Sequence, residues 1–313
     1  MTIVFADGAE AKVGAGPWST FPRLTTSTVR TGLQAFYATG VFQPPINDNS
    51  TIVLGFGVNP KASGRGPLAR IAGETDHLEV GFVGSTLNVT LNGSTTIDQM
   101  PLSVLPLQAW SYIEIRWTPG ASGSVQLRIN GETPSGWTDF TGAAGTANTG
   151  AQFYNVTLDG QGWWHIYDDM YVEDSATFLG PQTIGTMAPT ADVISNWTGS
   201  DGNNVDNFQL INDFTMTNFV ETTTPGHIQL CETADPALSG VPMAVVATAL
   251  ARDAAGSGGQ IKIGVDLGGA RSSTTHALDV TAKAVTHIAE TKPGGGAWAL
   301  ADINNARVFV EAV

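Results

Sequence analysis

The sequence is poor in cysteine and in charged side chains. Cys231 is the only cysteine, so an intramolecular disulfide and a thiolate-rich metal site are both excluded. Charged residues make up 13% of the 313 residues, roughly half the usual share of a soluble domain. The 28 acidic side chains outnumber the 14 basic ones and give a formal net charge of −14. Because this charge repels phosphate groups, nucleic acid is not expected as a partner.

Long apolar runs and targeting signals are lacking too. The longest apolar run, residues 241–251, is far short of the roughly 20 residues that cross a bilayer, so membrane insertion is not expected. The N-terminal segment has no basic stretch followed by an apolar core, so no secretory signal is expected either.

The residues that are abundant are those of turns and strands. Glycine alone occurs 37 times, and Thr, Asn and Val are frequent, whereas the helix-favouring residues Glu, Lys and Arg are scarce. This composition predicts an all-β protein. The length exceeds the roughly 100 to 200 residues of one domain. We therefore expect two domains, residues 1–178 and 194–313, joined by a Pro- and Gly-containing linker at 179–193.

Alternation of apolar and polar residues between turn residues predicts strands throughout the chain. Asn92-Gly93 and Asn130-Gly131 supply the positive φ angles of tight turns, and both predict hairpins. In the first domain the predicted strands are 33–42, 51–58, 68–71, 77–83, 86–91, 111–117, 124–130, 153–158 and 164–173. In the second they are 219–222, 227–230, 242–251, 260–267, 277–289 and 307–312, with a short helix at 298–304. The pattern predicts a large β-sandwich followed by a smaller one.

The densest acidic cluster is Asp168, Asp169, Glu173 and Asp174. Strict strand alternation places Asp168 and Asp169 on opposite faces, and separates Asp169 from Glu173 by roughly 13 Å on one face. That distance exceeds the roughly 5 to 9.5 Å between the carboxylates of a glycoside hydrolase, so a hydrolase on this strand is disfavoured. Because calcium accepts carboxylate and backbone oxygens, Asp168 and Asp169 are candidate ligands of a structural calcium ion. No other cofactor is expected.

Other catalytic patterns are missing from the sequence. The five histidines form neither His-x-His nor His-Glu-x-x-His. No Gly-x-Ser-x-Gly motif follows a predicted strand and precedes a helix. We therefore do not expect an enzyme.

The eight tryptophans are the remaining candidates for ligand binding, because an exposed aromatic face stacks on sugars whereas a buried one fills a core. Trp137 follows Pro, Ser and Gly in a loop and is expected to face solvent. Trp163 and Trp164 project to opposite faces of an extended strand, so one of them is expected at the surface or in a contact. Trp137 and Trp163 are thus the ligand-binding candidates, with packing in the core as the alternative for each.

Three segments resemble the concanavalin A-like, laminin G-like jelly-roll sandwich. They are W-S-Y-I-E-I-R at 110–116, G-S-V-Q-L-R-I-N-G at 123–131 and W-H-I-Y-D-D-M-Y-V at 164–172. In order and spacing they match a W-x-x-I-E strand, a hairpin strand ending in N-G, and a closing I-x-D-D-x-x-V strand of that fold. The resemblance implies a concanavalin A-like jelly roll at residues 1–178. The calcium and sugar sites of lectins do not map onto it residue by residue.

The chain also resembles a family of bacteriophage virion proteins that append a second domain. The matching segments are F-L-G at 178–180, M-A-P-T-A at 187–191, N-W-T at 196–198 and A-W-A-L-A-D-I-N at 297–304. This resemblance implies a non-enzymatic virion protein at the particle surface, as a capsid decoration, head fibre or tail-associated protein. Its partners would be other virion proteins, and its own state a homo-oligomer such as a trimer. An adhesin that binds host glycans is the alternative, and a polysaccharide-degrading enzyme is less favoured.

Overall fold

The fold is that of a computed structural model, which describes residues 3–7, 18–20, 23–25, 35–37, 39–62, 66–146, 150, 152–159, 164–212, 217–236, 238 and 240–313. The described residues divide into two compact units, of which the first ends at Ile184 and the second begins at Gly185. The segment predicted as a linker, 179–193, is therefore divided between the units, and a strand of the second unit already begins at Pro189.

The first unit is built from short strands joined by turns. The Asn92-Gly93 turn has φ angles of 54° and 64°, as predicted, and joins two of these strands in a hairpin. A short 3-10 helix spans Leu102–Val104. The strands are β1 Ile3–Asp7, β2 Trp18–Thr20, β3 Arg23–Thr25, β4 Ala35–Tyr37, β5 Gly40–Phe42, β6 Ile52–Pro60, β7 Gly66–Ala72, β8 His77–Val83, β9 Thr86–Leu91, β10 Thr95–Pro101, β11 Ser111–Thr118, β12 Gly123–Ile129, β13 Phe140–Gly142, β14 Asn155–Leu158 and β15 His165–Glu173.

Two antiparallel sheets form the sandwich of the first unit. Among the described residues, eight strands make one sheet in the order β13-β12-β11-β6-β15-β4-β3, with β1 paired to β15, and seven make the other in the order β10-β9-β8-β7-β14-β5-β2. Alternate side chains of both sheets meet in one core, in which Trp117, Phe56 and Leu68 are fully buried. Burying one such side chain stabilises the fold by roughly 1.5 to 3 kcal/mol. The predicted all-β jelly-roll sandwich is confirmed.

The second unit is a smaller sandwich. Its elements are β16 Pro189–Ser195, β17 Thr198–Gly199, α1 Asn207–Ile211, β18 Val220–Glu221, β19 Ile228–Thr233, β20 Val245–Ala251, β21 Gln260–Leu267, β22 Ala270–Ala277, β23 Lys283–Ala289, α2 Leu300–Ile303 and β24 Arg307–Ala312. Within the described part of this unit, a five-stranded sheet in the order β16-β19-β24-β21-β22 lies against the β20–β23 pair, while β17 pairs with β18. Ile263 and Val265 of β21, Val285 of β23 and Trp298 share its core.

The sequence predictions differ from the structure at particular elements of the second unit. The single strand predicted at 277–289 is wrong, because β22 ends at Ala277 and a turn separates it from β23. The run R-S-S-T-T-H of β22 has no apolar alternation that could signal a strand. The short helix α1 was not predicted. With at most five residues each, none of the described helices is long enough to cross a bilayer.

One glycine of β6 makes room for an aromatic ring. A Cβ atom on Gly55 would overlap the ring of Tyr171, whose hydroxyl donates a hydrogen bond of 2.6 Å to Glu114 Oε1. We expect Gly55→Ala to displace this ring and to lower the free energy of unfolding by about 1 to 3 kcal/mol. Denaturant unfolding measures the change. In a Tyr171→Ala background the same substitution should cost much less, and an equal cost in both backgrounds would contradict the explanation.

Candidate functional site

The acidic segment of β15 lies at a β-bulge. Asp168 pairs with Gly57 but Tyr171 pairs with Gly55, so β15 has one extra residue there, and Asp169 has a φ angle of 49°. The residues that flank the two aspartates, at 167 and 170, both belong to the core. The expectation that Asp168 and Asp169 lie on opposite faces is therefore wrong. The bulge breaks the two-residue period, and neither carboxylate faces the core.

Residues 176–184, here called the covering segment, lie over the outer side of the eight-stranded sheet. The guanidinium of Arg116 donates a hydrogen bond of 2.6 Å to the carbonyl oxygen of Ala176. The ring of Phe178 lies beneath the guanidinium groups of Arg116 and Arg128, at 5.8 and 5.0 Å from the ring centroid. These contacts are cation–π interactions, and they hold the start of the covering segment against the sheet.

Backbone N–H groups of the covering segment donate to buried carboxylates of the sheet. Gly180 N donates to Glu114 Oε1 at 2.8 Å, and Ile184 N donates to Asp169 Oδ1 at 2.8 Å. Burial, together with the nearby Glu114 carboxylate, raises the pKa of the Tyr171 hydroxyl, which therefore stays protonated and donates to Glu114. The carboxylates thus fix the backbone of the covering segment.

The predicted calcium ligands are both fully buried in this arrangement. Asp168 Oδ1 accepts a hydrogen bond of 2.9 Å from Asp169 N, and Asp169 Oδ1 accepts the bond from Ile184 described above. In the described part of the chain, no group of three His, Cys, Asp or Glu side chains is arranged to hold a metal ion. Calcium binding by Asp168 and Asp169 stays a prediction, and the bonds seen give the pair a structural role.

Of the two tryptophans predicted to bind a ligand, Trp137 lies within the described residues. Trp137 is only 6% exposed, so the expectation that it faces solvent is wrong. Its loop folds back because the indole Nε1 donates to Asp139 Oδ1 at 2.7 Å, and Asp139 also pairs with Arg128 at 3.0 Å. The hydrogen bond from Arg128 lowers the pKa of Asp139. Trp163 lies outside the described residues, and its neighbour Trp164 is 40% exposed.

The outer side of the seven-stranded sheet carries a depression of about 130 Å³ formed mainly by β8 and β9. Alternation along β8 sends Leu78, Val80 and Phe82 into the core and leaves positions 79, 81 and 83 on the outer face. The residues that line the depression are Gly66, Glu79, Gly81, Phe82, Val83, Asn88 and Thr90. The depression therefore lies on strands rather than on a loop, and it carries the polar side chains of Glu79, Asn88 and Thr90.

Glu79 is the distinctive group of this depression. It lies directly opposite Arg70 of β7, and such cross-strand Cβ atoms are about 4.5 to 5.5 Å apart. Burial raises the pKa of Glu79, Arg70 opposes this shift, and Asp159 adds to it. Within the described residues, neither the Glu79 carboxylate nor the Arg70 guanidinium has a hydrogen bond or an ion pair. A half-buried carboxyl group with unused acceptors in a depression is a candidate for ligand binding.

Three neighbours, Asn88, Gly81 and Val83, complete the surface beside Glu79. The hydroxyl of Thr86 donates to Asn88 Oδ1 at 2.6 Å, which orients the Nδ2 donor of Asn88 for other partners. Gly81 forms the floor, where a Cβ atom would lie 2.6 Å from the Cα of Pro67. Val83, 61% exposed, supplies an apolar contact at the same site.

Sequence reasoning missed this site. The alternation that predicted strands 77–83 and 86–91 places Glu79 and Asn88 on the outer face. The pairing of Glu79 with Arg70, however, depends on the register between β7 and β8, which includes a shift between Pro67 and Ala69. No local pattern in the sequence indicates that register.

A larger depression, of about 510 Å³, lies among loops at the ends of several strands of the first unit. It contains Asp76, which accepts hydrogen bonds from Thr146 N and, at 2.6 Å, from Asn92 Nδ2. The bond from Thr146 is the main reason why the pKa of Asp76 is lowered. Because both oxygens of Asp76 are used within the protein, this carboxylate ties loops together. The residues that line the depression are Asp76, Leu91, Asn92, Ala121, Ala143, Gly145 and Thr146.

No protein-family model and no curated protein matches the chain. Among solved structures, it is similar to the cellulose-induced protein Cip1, at 14% identity, over 57% of this chain and 100% of that one, with a TM-score of 0.40. It is also similar to an SAP-like pentraxin of Limulus polyphemus, at 15% identity, over 51% and 76% of the two chains, with a TM-score of 0.35. A carbohydrate esterase of a Shiga toxin-encoding bacteriophage matches at 12% identity, over 56% and 99%, with a TM-score of 0.38. At such identities these likenesses concern the fold alone.

Asp76 makes the stability of the first unit depend on pH. Its folded pKa lies below the ordinary value of 3.8, so its contribution is present above pH 3.8 and is lost as pH falls through the folded pKa. We expect Asp76→Asn to cost about 1 to 2 kcal/mol near neutral pH, and the difference from the wild type to close as the pH falls below 3.8 and through the lowered folded pKa. Thermal unfolding across pH measures it. Glu132→Gln, at an exposed turn, is the control, and a pH-independent difference for Asp76→Asn would contradict the explanation.

The predicted calcium role of Asp168 and Asp169 is tested by thermal unfolding with calcium and with EDTA. If the pair binds the ion, calcium at about 100 times its Kd stabilises the wild type by about 2.7 kcal/mol. The same addition leaves an Asp168→Asn variant unchanged. Equal midpoints with calcium and with EDTA in the wild type would contradict the prediction.

Proposed function

We propose that this chain is a non-enzymatic structural protein on the surface of a bacteriophage particle. In this proposal the second unit mediates assembly, as a homo-oligomer such as a trimer and with other virion proteins. The sequence resemblance to virion proteins, through segments that include 187–191 and 297–304, is the starting point. Whether the protein decorates the capsid, forms a head fibre or belongs to the tail is an outcome of the test.

The distribution of exposed apolar side chains carries this proposal. Seven of the eleven large apolar side chains that are exposed among the described residues lie in the smaller second unit. Contiguous patches of exposed apolar residues are typical of protein–protein contacts, and in this proposal these side chains contribute to such a patch. The seven are Val193, Val205, Phe219, Val241, Leu250, Val280 and Val313.

The acidic cluster of β15 supports a non-catalytic role for that strand. Glu114, Asp168, Asp169 and Glu173 are fully buried, and each of the four accepts a hydrogen bond from a neighbouring backbone N–H or hydroxyl group. A general acid or nucleophile has to reach its substrate, and these carboxylates lie beneath the covering segment or within the sheet.

A second candidate function is the binding of a host glycan by the first unit, as an adhesin. The depression around Glu79 favours it, because carbohydrate recognition needs several hydrogen-bond donors and acceptors beside a small apolar contact. Glu79 supplies acceptors, Arg70 and Asn88 supply donors, and Val83 is the apolar neighbour. Both functions are compatible in one particle-surface protein.

The virion proposal is tested on purified particles of the virus that encodes the chain. We expect its peptides to co-purify with infectious particles through a density gradient at a stoichiometry of many copies, and electron cryomicroscopy to show ordered density that the two units fit. Peptides found only in the soluble fraction of the lysate would overturn the proposal.

The assembly role of the second unit is tested by light scattering on the purified full chain. We expect the mass of three chains for the wild type and a shift toward the monomer for Val205→Glu combined with Val241→Glu, because burying a charge in an apolar contact is unfavourable. Leu107→Glu in the first unit is the matched control. A wild-type monomer at all concentrations would contradict the assembly role.

A further inference from the structure

We propose that the depression on the seven-stranded sheet binds a neutral saccharide, with Glu79 accepting hydrogen bonds from its hydroxyl groups and Arg70 and Asn88 donating to it. This inference rests on the glycan binding proposed above and names the class of ligand for that site.

The hydrogen-bonding capacity of the site matches a row of hydroxyl groups. An ionised carboxylate offers about four lone-pair positions, and none of those of Glu79 is used by a described residue. Hydrogen bonds from neutral hydroxyls to a charged acceptor are roughly twice as strong as bonds between neutral groups. The guanidinium of Arg70 and the Nδ2 of Asn88 supply donors to the ring or hydroxyl oxygens of the same ligand.

The charges around Glu79 favour a neutral ligand over an acidic one. From the neighbouring strands, Arg70 faces it from β7 and Asp159 from the end of β14, while β9 contributes the uncharged Asn88 and Thr90. His77, on the same strand as Glu79, interacts with Arg70. The carboxylate of a uronic or sialic acid would therefore meet two acids and one arginine, on a protein with a net charge of −14. Like charges repel at such distances.

The size of the depression limits what it can hold. Its volume of about 130 Å³ is well below the roughly 300 to 1,000 Å³ of sites that enclose a small molecule. The site therefore contacts one sugar unit at a time and leaves the rest of a polysaccharide in solvent. Exposed Val83 is placed to contact the C–H face of that unit. Weak binding per site gains strength when several copies engage one polymer.

Affinity electrophoresis of the full-length protein tests the inference. The native gels contain either a neutral polysaccharide (laminarin, mannan, galactan or dextran) or an acidic one (alginate, polygalacturonate or hyaluronate). We expect at least one neutral polymer to retard the wild type, and we expect Glu79→Ala and Arg70→Ala each to weaken that retardation about tenfold or more. Glu132→Gln, an exposed carboxylate elsewhere on the first unit, is the matched control and should migrate like the wild type.

Each other outcome overturns a distinct statement. Retardation by acidic polymers alone overturns the neutral ligand class but leaves glycan binding standing. Retardation by a neutral polymer that Glu79→Ala does not change overturns the site. Absence of retardation in all seven gels overturns both this inference and the glycan-binding candidate, while the virion proposal depends on its own particle experiment. Release of reducing ends by the wild type, lost in Glu79→Ala, overturns the non-enzymatic role.

The pH dependence of retardation gives a second measurement. Protonation removes the charge of Glu79, and burial raises its pKa above the ordinary 4.5. Retardation should therefore be full near neutral pH and weaken as the pH falls through that raised value. His77 is a second titratable group beside this site, and burial lowers its pKa. A His77→Asn variant is therefore the control, and its retardation should depend on pH as that of the wild type does. A profile that follows His77 instead would overturn the assignment to Glu79.

Discussion

The face-to-face packing of two antiparallel sheets places alternate side chains of strands such as β8 and β12 of the first unit in one core. Leu78, Val80 and Phe82 of β8, for example, are all buried there. The residues between them have to lie on an outer face, whatever their chemistry. A binding site on the strands of the sandwich therefore consists of the outward-facing residues, which alternate with those of the core.

The two outer faces use those positions differently. On the eight-stranded sheet, Glu114 and Asp169 are covered by chain from the end of the first unit, and backbone N–H groups satisfy one oxygen of each. On the seven-stranded sheet, Glu79 is half-buried and Arg70 is exposed, and neither side chain forms a hydrogen bond or an ion pair with a described residue. Outward-facing carboxylates thus have a structural role on the eight-stranded sheet, whereas Glu79 on the seven-stranded sheet is available to a ligand.

The sequence correctly predicted those strand bounds that depend on local patterns of residues. Strands 77–83, 86–91 and 260–267 have the predicted bounds because alternation and turn residues define them. The bulge at Asp168 and Asp169 could not be predicted, since an extra residue is visible only through its pairing with β6. Trp137 was wrongly expected in solvent because its bond to Asp139 closes the loop onto the core. Glu79 was overlooked because its neighbours come from two other strands.

The covering segment also determines how the first unit responds to tension along the chain. A pull from Gly185 reaches the Ile184–Asp169 hydrogen bond first, then Gly180–Glu114, then Leu179–Tyr171, before it reaches β15. These bonds would break one at a time, whereas β15 is held by β6 on one side and, on the other, by β4 at residues 166 and 167 and by β1 at residues 170–173. The segment therefore acts as an extensible tether, which lengthens under load while the sandwich keeps its shape.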